Sequence, residues 1–206
     1  MAQTFGTVVR QHVAALRLLI VFTVITGVAY PLLVTGIAQA TFPHRANGSL
    51  VKVHGRTAAS SLLGQTFDLP PGTGRTTASP DPRWFQPRPS AGSYDPLASG
   101  ASNLGPNNAT LIREIRERRA AVAAFDGVPP RTVPVDALTA GGSGLDPDIS
   151  PAYAYEQVGR VARARGLASA VVHRLVAAHV QSRALGFLGQ KHVDVVELNR
   201  ALSGTR

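Results

Sequence analysis

Residues 18–43 contain no Lys, Arg, Asp, Glu or His, and this uncharged run limits what the chain can fold into more than any other feature. A bilayer core about 30 Å thick needs about 20 apolar residues in a helix. Only a helix satisfies its own backbone groups in lipid. We therefore predict a transmembrane helix over residues 18–42, preceded by a short head, residues 1–17. Pro31 predicts a kink in that helix, beside Thr35 and Gly36.

Two alternatives compete with a membrane span. A cleaved signal peptide would fit the basic residues Arg10 and Arg17 and the small-residue site Ala38-Gln39-Ala40. Its apolar region should be only about 7–15 residues long, however, which is shorter than this one. A buried helix of a soluble protein rarely runs this long without a polar face.

The basic residues beside the span do not settle its orientation. Arg10 and Arg17 precede it, while Arg45, Lys52 and Arg56 follow it closely. Long domains cross the membrane largely regardless of charge, and a short basic head is typical of a signal anchor. We expect the head in the cytoplasm and a single domain, residues 43–206, outside the cytoplasmic membrane.

Composition limits the classes of binding partner and the kinds of side-chain chemistry that we expect of this chain. The formal charge of +9 suits lipid head groups or an acidic protein, in addition to nucleic acid. One Trp and no alternation of basic and aromatic residues argue against nucleic-acid binding. Cysteine is absent, so neither a disulfide framework nor thiolate chemistry is available.

The remaining residues are enough for one domain, which we predict to be α+β with more helix in its second half. Residues 50–53 suggest a short strand. The segment from Asp68 to Gly105 is too rich in proline for helix interiors or central strands. Its scattered aromatic residues indicate an ordered loop packed on the domain, although we expect Arg75–Ser79 to be mobile.

Start and stop signals predict the helices of the second half. A helix should begin at Asn107 or Asn108 and end at Gly127. Another should begin at Ser150-Pro151 and stop at Gly166. Ser169 is the predicted cap of a third, which continues through Val180 and is broken by Gly186 and Gly189. A last helix follows the capping pair Asp194 and Glu197. Between these helices, residues 131–138 are predicted to form an edge strand.

Familiar catalytic patterns are missing. No lysine stands in a phosphate-binding Gly-Lys-Ser/Thr sequence. The stretch Gly141–Leu145 lacks the final glycine of a serine-hydrolase elbow. His173 and His179 are six residues apart, which is not the four-residue spacing of a helical metal pair. Asp146 and Asp148 suit either a cation site or a turn that precedes the Ser150 helix.

Three stretches resemble the C subunit of the Kdp potassium-transporting ATPase. They are PRPSAGSYDPLASGASNLGPNN (87–108), LTAGGSGLDPDISPAYAYEQVGRVARARGL (138–167) and LGFLGQKHVDVVELNRAL (185–202). Within them, the residues that carry the resemblance are Ser102, Asn103, Gly105, Pro106, Asn107, Ser143, Gly144, Asp146, Pro147, Ser150, Gly186, Phe187, Gly189, Glu197 and Asn199. The family usually has His at Asp148 and Glu-Pro-Arg at 190–192, which are small departures.

The resemblance implies a non-catalytic accessory subunit with one span and an external domain. Its partners would be a channel-like potassium-binding subunit, a P-type ATPase subunit and a small stabilising subunit, all within membrane lipid. The family is described as needed for assembly and as a catalytic chaperone that raises the ATP affinity of the pump subunit. ATP therefore enters at the level of the complex, and no cofactor or metal is assigned to this chain.

Two further expectations complete this interpretation. Helix association in lipid relies on small residues and close packing, so the ridge Thr23, Gly27 and Pro31 should face a partner helix. Leu19, Phe22 and Leu33 should face lipid or looser contacts. The alternative function, from another class, is a membrane-anchored external serine hydrolase that uses Ser143 with a distant histidine.

Overall fold

The computed structural model of the protein describes residues 2–53, 55–69 and 79–205. It divides into two compact units, one ending at Ser49 and the other beginning at Leu50. The segment Arg75–Ser79, which we expected to be mobile, lies outside the described part of the chain except for Ser79. The division into a head, a span and an external domain stays a prediction.

The first unit is mainly one long apolar helix. It comprises α1 (Ala2–Val24), a π-helical turn (Ile25–Ala29) and α2 (Tyr30–Thr41), followed by the short α3 (Pro43–Ala46). The 36 residues Gly6–Thr41 are long and apolar enough to cross a membrane. The helix also includes most of the predicted head, which contains no proline to interrupt it.

We predicted that Pro31 would disturb the helix beside Thr35 and Gly36. The structure instead places the irregularity on the N-terminal side of Pro31. Proline has no N–H, so the carbonyl four residues earlier, that of Gly27, loses its usual α-helical partner. The backbone widens there, and the Tyr30 N–H donates to the carbonyl of Ile25, five residues back. Thr35 and Gly36 remain within α2.

The second unit is α+β, as predicted, with two small sheets. In the first, β1 (Leu50–Val53) pairs antiparallel with β2 (Arg56–Ser60). In the second, β3 (Asp148–Ile149) pairs antiparallel with β4 (Val193–Asp194). The helices are α4 (Ala109–Asp126), α5 (Pro151–Arg165), α6 (Ser169–His179) and α7 (Val195–Ser203).

Local capping signals set most of these helix ends. The Asn108 side chain accepts hydrogen bonds from the first turn of α4, and Ser150 does the same for α5. Gly127 and Gly166 close the two helices with φ of 73° and 68°, values that glycine adopts without strain. Asp194 caps α7 by accepting the Glu197 N–H at 2.9 Å. These starts and stops confirm the sequence prediction.

Three local predictions were wrong. Residues 131–138 form 3₁₀ turns at Pro130–Thr132 and Val135–Ala137 rather than a strand, because two prolines remove backbone donors and favour turn dihedrals. Ser169 is the first residue of α6, whose N-cap is Ala168 and has no side-chain cap. The helix ends at His179, before either glycine.

The chain leaves α6 early because it enters an antiparallel excursion. Gln181 pairs with His192 and Ala184 pairs with Leu188, so residues 181–191 form a narrow arm. Gly186 and Gly189, predicted as helix breakers, instead turn the chain within this arm at φ of 82° and 77°.

One apolar core unites the helices of the second unit with the proline-rich segment. Its largest fully buried apolar side chains are Phe85, Leu138, Val161, Val172, Val176, Leu198 and Leu202. Full burial of each such side chain contributes about 1.5–3 kcal/mol. Phe85 belongs to the proline-rich segment, so that segment is part of the core, as its aromatic residues predicted.

Candidate functional site

Arg160 is the centre of a buried polar cluster that the sequence interpretation missed. Its guanidinium donates to Asp126 Oδ1 at 2.6 Å and to Gln157 Oε1 at 2.6 Å. It also donates to the carbonyls of Pro82 and Trp84, at 2.7 and 2.9 Å. Burial raises the pKa of Asp126, and the Arg160 hydrogen bond opposes that shift. The cluster joins α4, α5 and the proline-rich segment.

Two buried amide side chains hold the backbone next to this cluster. Asn199 accepts the Phe85 N–H and donates to the Phe85 carbonyl, both at 2.9 Å. Gln157 makes the equivalent pair with Gln86, at 2.6 and 3.0 Å. These side-chain amides take the place of the backbone N–H and C=O groups that a neighbouring β-strand would offer. We call Gln157, Arg160 and Asn199 the polar clamp.

The sequence contained one usable signal for the polar clamp. Gln157 and Arg160 are three residues apart, so they share the face of α5 that also carries the core residues Tyr153 and Val161. Polar residues on an otherwise apolar face are rarely buried without partners. Asn199 was recognised only through the family resemblance, and the structure places it in the core.

A second set of contacts ties the proline-rich segment to residues 139–146. Arg88 pairs with Asp146 at 2.8 Å and donates to the Thr139 carbonyl. The Ser90 hydroxyl donates to the Gly144 carbonyl at 2.6 Å. Gly144 has φ of 68°, and a Cβ there would lie 2.7 Å from the Gly100 carbonyl oxygen. Gly144 is therefore required by both conformation and space.

Asp146 and Asp148 border a polar cavity of about 520 Å³ that Arg88, Asp136, Lys191 and His192 also line. Asp146 accepts the Asp148 N–H at 3.0 Å, and Asp136 accepts both the N–H and the hydroxyl of Ser150. The Pro147 carbonyl accepts the Val195 N–H at 3.0 Å. These are the contacts of a capped turn before α5. Burial raises the pKa of Asp148, and His192, 3.8 Å away, opposes the shift.

Ser143 is the nucleophile of the alternative hydrolase function, and its polar groups bind backbone N–H groups of the surrounding loops. Its hydroxyl accepts the Leu145 N–H at 3.1 Å, and its carbonyl accepts the Gly100 N–H. No histidine of the described residues is hydrogen-bonded to it. His173 stacks on Tyr155, and His179 and His192 bond to backbone carbonyls nearby in sequence. Among the described residues, the geometry therefore offers this serine no histidine base.

The other motif residues lie on the surface in two groups. Ser102, Asn103, Gly105, Pro106 and Asn107 are exposed before α4, and Asn103 has φ of 53°. Gly186, Phe187 and Gly189 lie on the arm. Glu197, at the start of α7, pairs with Arg200 at 2.7 Å. The structure thus separates the motif residues into buried supports and exposed segments, and it does not bring them together in one site.

Thr23, Gly27 and Pro31 are exposed in the first unit, as is nearly all of the helix. Gly27 lies within the π-helical turn, and a Cβ added there would meet nothing within 4 Å. The three residues offer a surface without a bulky side chain, and their predicted role as an interface stays a prediction.

Two further acidic groups of the second unit have raised pKa values. Burial, together with the charges of Asp126 and Asp136, raises the pKa of Glu156 to about 7. Burial raises the pKa of Asp194 to about 6, although the Glu197 N–H favours its ionised form. Asp194 caps α7 and Glu156 lies within α5, so these shifts concern folding.

Comparison with known proteins identifies the family. The family model described as "K+-transporting ATPase, c chain" (KdpC) matches residues 12–204. A potassium-transporting ATPase KdpC subunit from Sorangium cellulosum is 54% identical over 195 residues, covering 93% of this chain and 96% of the relative. Proteins of the same name from Kineococcus radiotolerans and Streptomyces coelicolor are 50% and 47% identical, over 98% and 94% of this chain and 97% and 92% of the relatives. The chain therefore belongs to the KdpC family, the c chains of potassium-transporting ATPases.

Proposed function

We propose that the chain is a non-catalytic accessory subunit of an ATP-driven potassium pump. The observation that carries this proposal is the family match along residues 12–204, together with relatives named as subunits of a potassium-transporting ATPase. The partners are a channel-like potassium-binding subunit, a P-type ATPase subunit and a small stabilising subunit. The chain's role is assembly, and through it an increase in the ATP affinity of the ATPase subunit.

The chain acts on ATP indirectly in this proposal. Its single span lies in the cytoplasmic membrane, with the head inside and the domain outside, so the domain cannot touch a cytoplasmic nucleotide. The missing phosphate-binding sequence supports indirect action. The organisation of the second unit supports it too, since most of its buried polar groups are engaged in holding the proline-rich segment.

The ridge Thr23, Gly27 and Pro31 is the proposed contact with a partner helix. In lipid, close approach of helix backbones at small residues favours association. Gly27→Leu should therefore reduce the amount of ATPase subunit that co-purifies with the chain, while membrane insertion persists. A Cβ added at Gly27 meets nothing within 4 Å in the chain itself, so a loss points to a partner.

Gly36→Leu is the matched control, because Gly36 also has nothing within 4 Å and lies off the ridge. Leu33→Ala should likewise have a small effect. Equal recovery of the ATPase subunit with Gly27→Leu and with the wild type would rule out the ridge.

The orientation of the domain across the membrane and the lack of enzymatic activity of the chain are tested separately. Protease added to intact spheroplasts should digest the chain after about Pro43, and full protection would contradict an external domain. The purified chain alone should not hydrolyse ATP. Hydrolysis that disappears on mutation of one of its own residues would contradict a non-catalytic role, as would labelling of Ser143 by a covalent serine probe.

A further inference from the structure

The arm, residues 181–191, presents apolar side chains to solvent at its tip. All eleven residues are exposed, and Leu185, Phe187 and Leu188 retain 83%, 68% and 51% of their accessible surface. Leu185 also has φ of 53°, which costs a branched side chain free energy. An exposed leucine in a disfavoured conformation adds nothing to the core, so the tip is shaped for contact with something outside the chain.

Most backbone N–H groups of the tip, residues 184–188, are already hydrogen-bonded within the arm. Ala184 and Leu188 exchange N–H···O bonds of 3.0 and 2.9 Å. The Gly186 N–H donates to Arg183 and the Phe187 N–H to Ala184. A segment that enters the acyl region of a bilayer must satisfy its backbone internally, because no water is available there. Four of the five N–H groups in residues 184–188 meet this requirement without rearrangement.

Positive charge lies on both sides of the apolar tip. Arg183 is two residues before Leu185, and Lys191 is three residues after Leu188, while no acidic residue occurs in 181–191. Long basic side chains reach back to the level of the head groups when an apolar tip is buried beneath them. Apolar residues between cations are the arrangement of segments that lie in an anionic membrane interface.

We infer that the arm is a second membrane contact, inserting Leu185, Phe187 and Leu188 between anionic phospholipids. The negative charge of the lipid complements the arm, whose own net charge is positive. Only residues 42–49 separate the end of α2 from Leu50, so the membrane-spanning helix tethers the domain near a bilayer and raises the effective concentration of that surface. The inference rests on the span and not on membership of a pump.

Depth-dependent fluorescence quenching in nanodiscs tests the arm directly with the full chain. The chain has no cysteine, so Phe187→Cys provides a single attachment point for an environment-sensitive fluorophore. Leu97→Cys is the matched control, because Leu97 is 95% exposed and has Asp95 nearby but no basic residue between positions 89 and 112. Discs contain phosphatidylcholine alone or with phosphatidylglycerol, each with a lipid-attached quencher.

We expect the lipid-attached quencher to act on the label at 187 but not on the label at 97, and more strongly in the discs with phosphatidylglycerol. Replacing both Arg183 and Lys191 by Gln should lower the ratio of inserted to free arm about 30-fold, taking about 1 kcal/mol, or about fivefold, for each cation. Equal access of aqueous iodide to both labels would overturn the inference. So would a label at 187 that is shielded only after the other pump subunits are added, which would identify a protein partner.

Discussion

Residues 81–94 and the arm, residues 181–191, are both irregular backbone, yet different groups hold them in place. The first segment is fixed by side chains of α5 and α7, through the polar clamp. The arm is fixed by hydrogen bonds between its own backbone groups. Consequently the first segment is inseparable from the core, whereas the arm keeps its side chains free. The comparison shows that family motifs in one chain serve folding at one place and surface contacts at another.

The largest effect should come from the centre of the polar clamp. Arg160→Leu removes every bond of the guanidinium and leaves the Asp126 carboxylate buried beside an apolar side chain. Breaking a buried ion pair in this way should lower the free energy of unfolding by about 3–5 kcal/mol. Denaturant unfolding measures the loss.

Arg163→Leu is the control for that variant. Arg163 is exposed on the same helix and makes one long bond, 3.4 Å, to the Asp126 carbonyl. Its replacement should cost below about 1 kcal/mol. Similar losses in the free energy of unfolding for the two variants would mean that the buried contacts of Arg160 do not stabilise the fold more than those of an exposed arginine.

A smaller loss should follow Asn199→Leu, which keeps the number and branching of the side-chain heavy atoms but removes the amide. The N–H and carbonyl of Phe85 are then both buried without their partner. At about 1–2 kcal/mol for each of these two neutral groups, the free energy of unfolding should fall by about 2–4 kcal/mol. Asn107→Leu, at an exposed position, should leave it nearly unchanged, and equal values for the two variants would remove Asn199 from the polar clamp.

The pH dependence of stability should reveal the raised pKa of Glu156, which lies on the same helix as Arg160. Burial raises its pKa from 4.5 to about 7, so the folded state binds its proton more tightly than the unfolded state. The stability that this proton provides is complete below about pH 4.5 and is lost as pH rises to about 7. One Glu156 carboxylate oxygen is buried and accepts no hydrogen bond within the described residues.

Glu156→Gln should remove that dependence. The difference in melting temperature between the variant and the wild type should grow in favour of the variant from pH 4.5 to 7 and then stay constant. Asp194, whose pKa is also raised, is present in both proteins and cancels in the difference. A difference that does not vary with pH would contradict the raised pKa.

The smallest effect on folding should come from the tip of the arm. Phe187→Ser changes an exposed side chain without touching the backbone bonds of the arm. The free energy of unfolding should therefore change by no more than about 0.5 kcal/mol. A loss comparable to that of Asn199→Leu would show that the arm packs on the domain, and the contrast between the two segments would fail.

Local sequence signals predicted the parts of the fold that depend on local chemistry. Asn108, Ser150 and Asp194 cap helices as expected, because a cap needs only its own first turn. The predicted strand at 131–138 failed, since a strand needs a partner and Pro130 and Pro134 favoured turns. The polar clamp could not be predicted from spacing alone, because Asn199 and Phe85 are 114 residues apart.

The sequence by itself determined the apolar span, the helix starts and the family, because each depends on composition, near neighbours or long motifs. The tertiary structure decided which motif residues are buried and which are exposed. Asn199 is in the core because a proline-rich backbone there needs a donor and an acceptor. Phe187 is at the surface because the arm closes its own hydrogen bonds and extends away from the core. The contact of Asn199 with Phe85 joins residues 114 positions apart in the chain, which no local pattern contains.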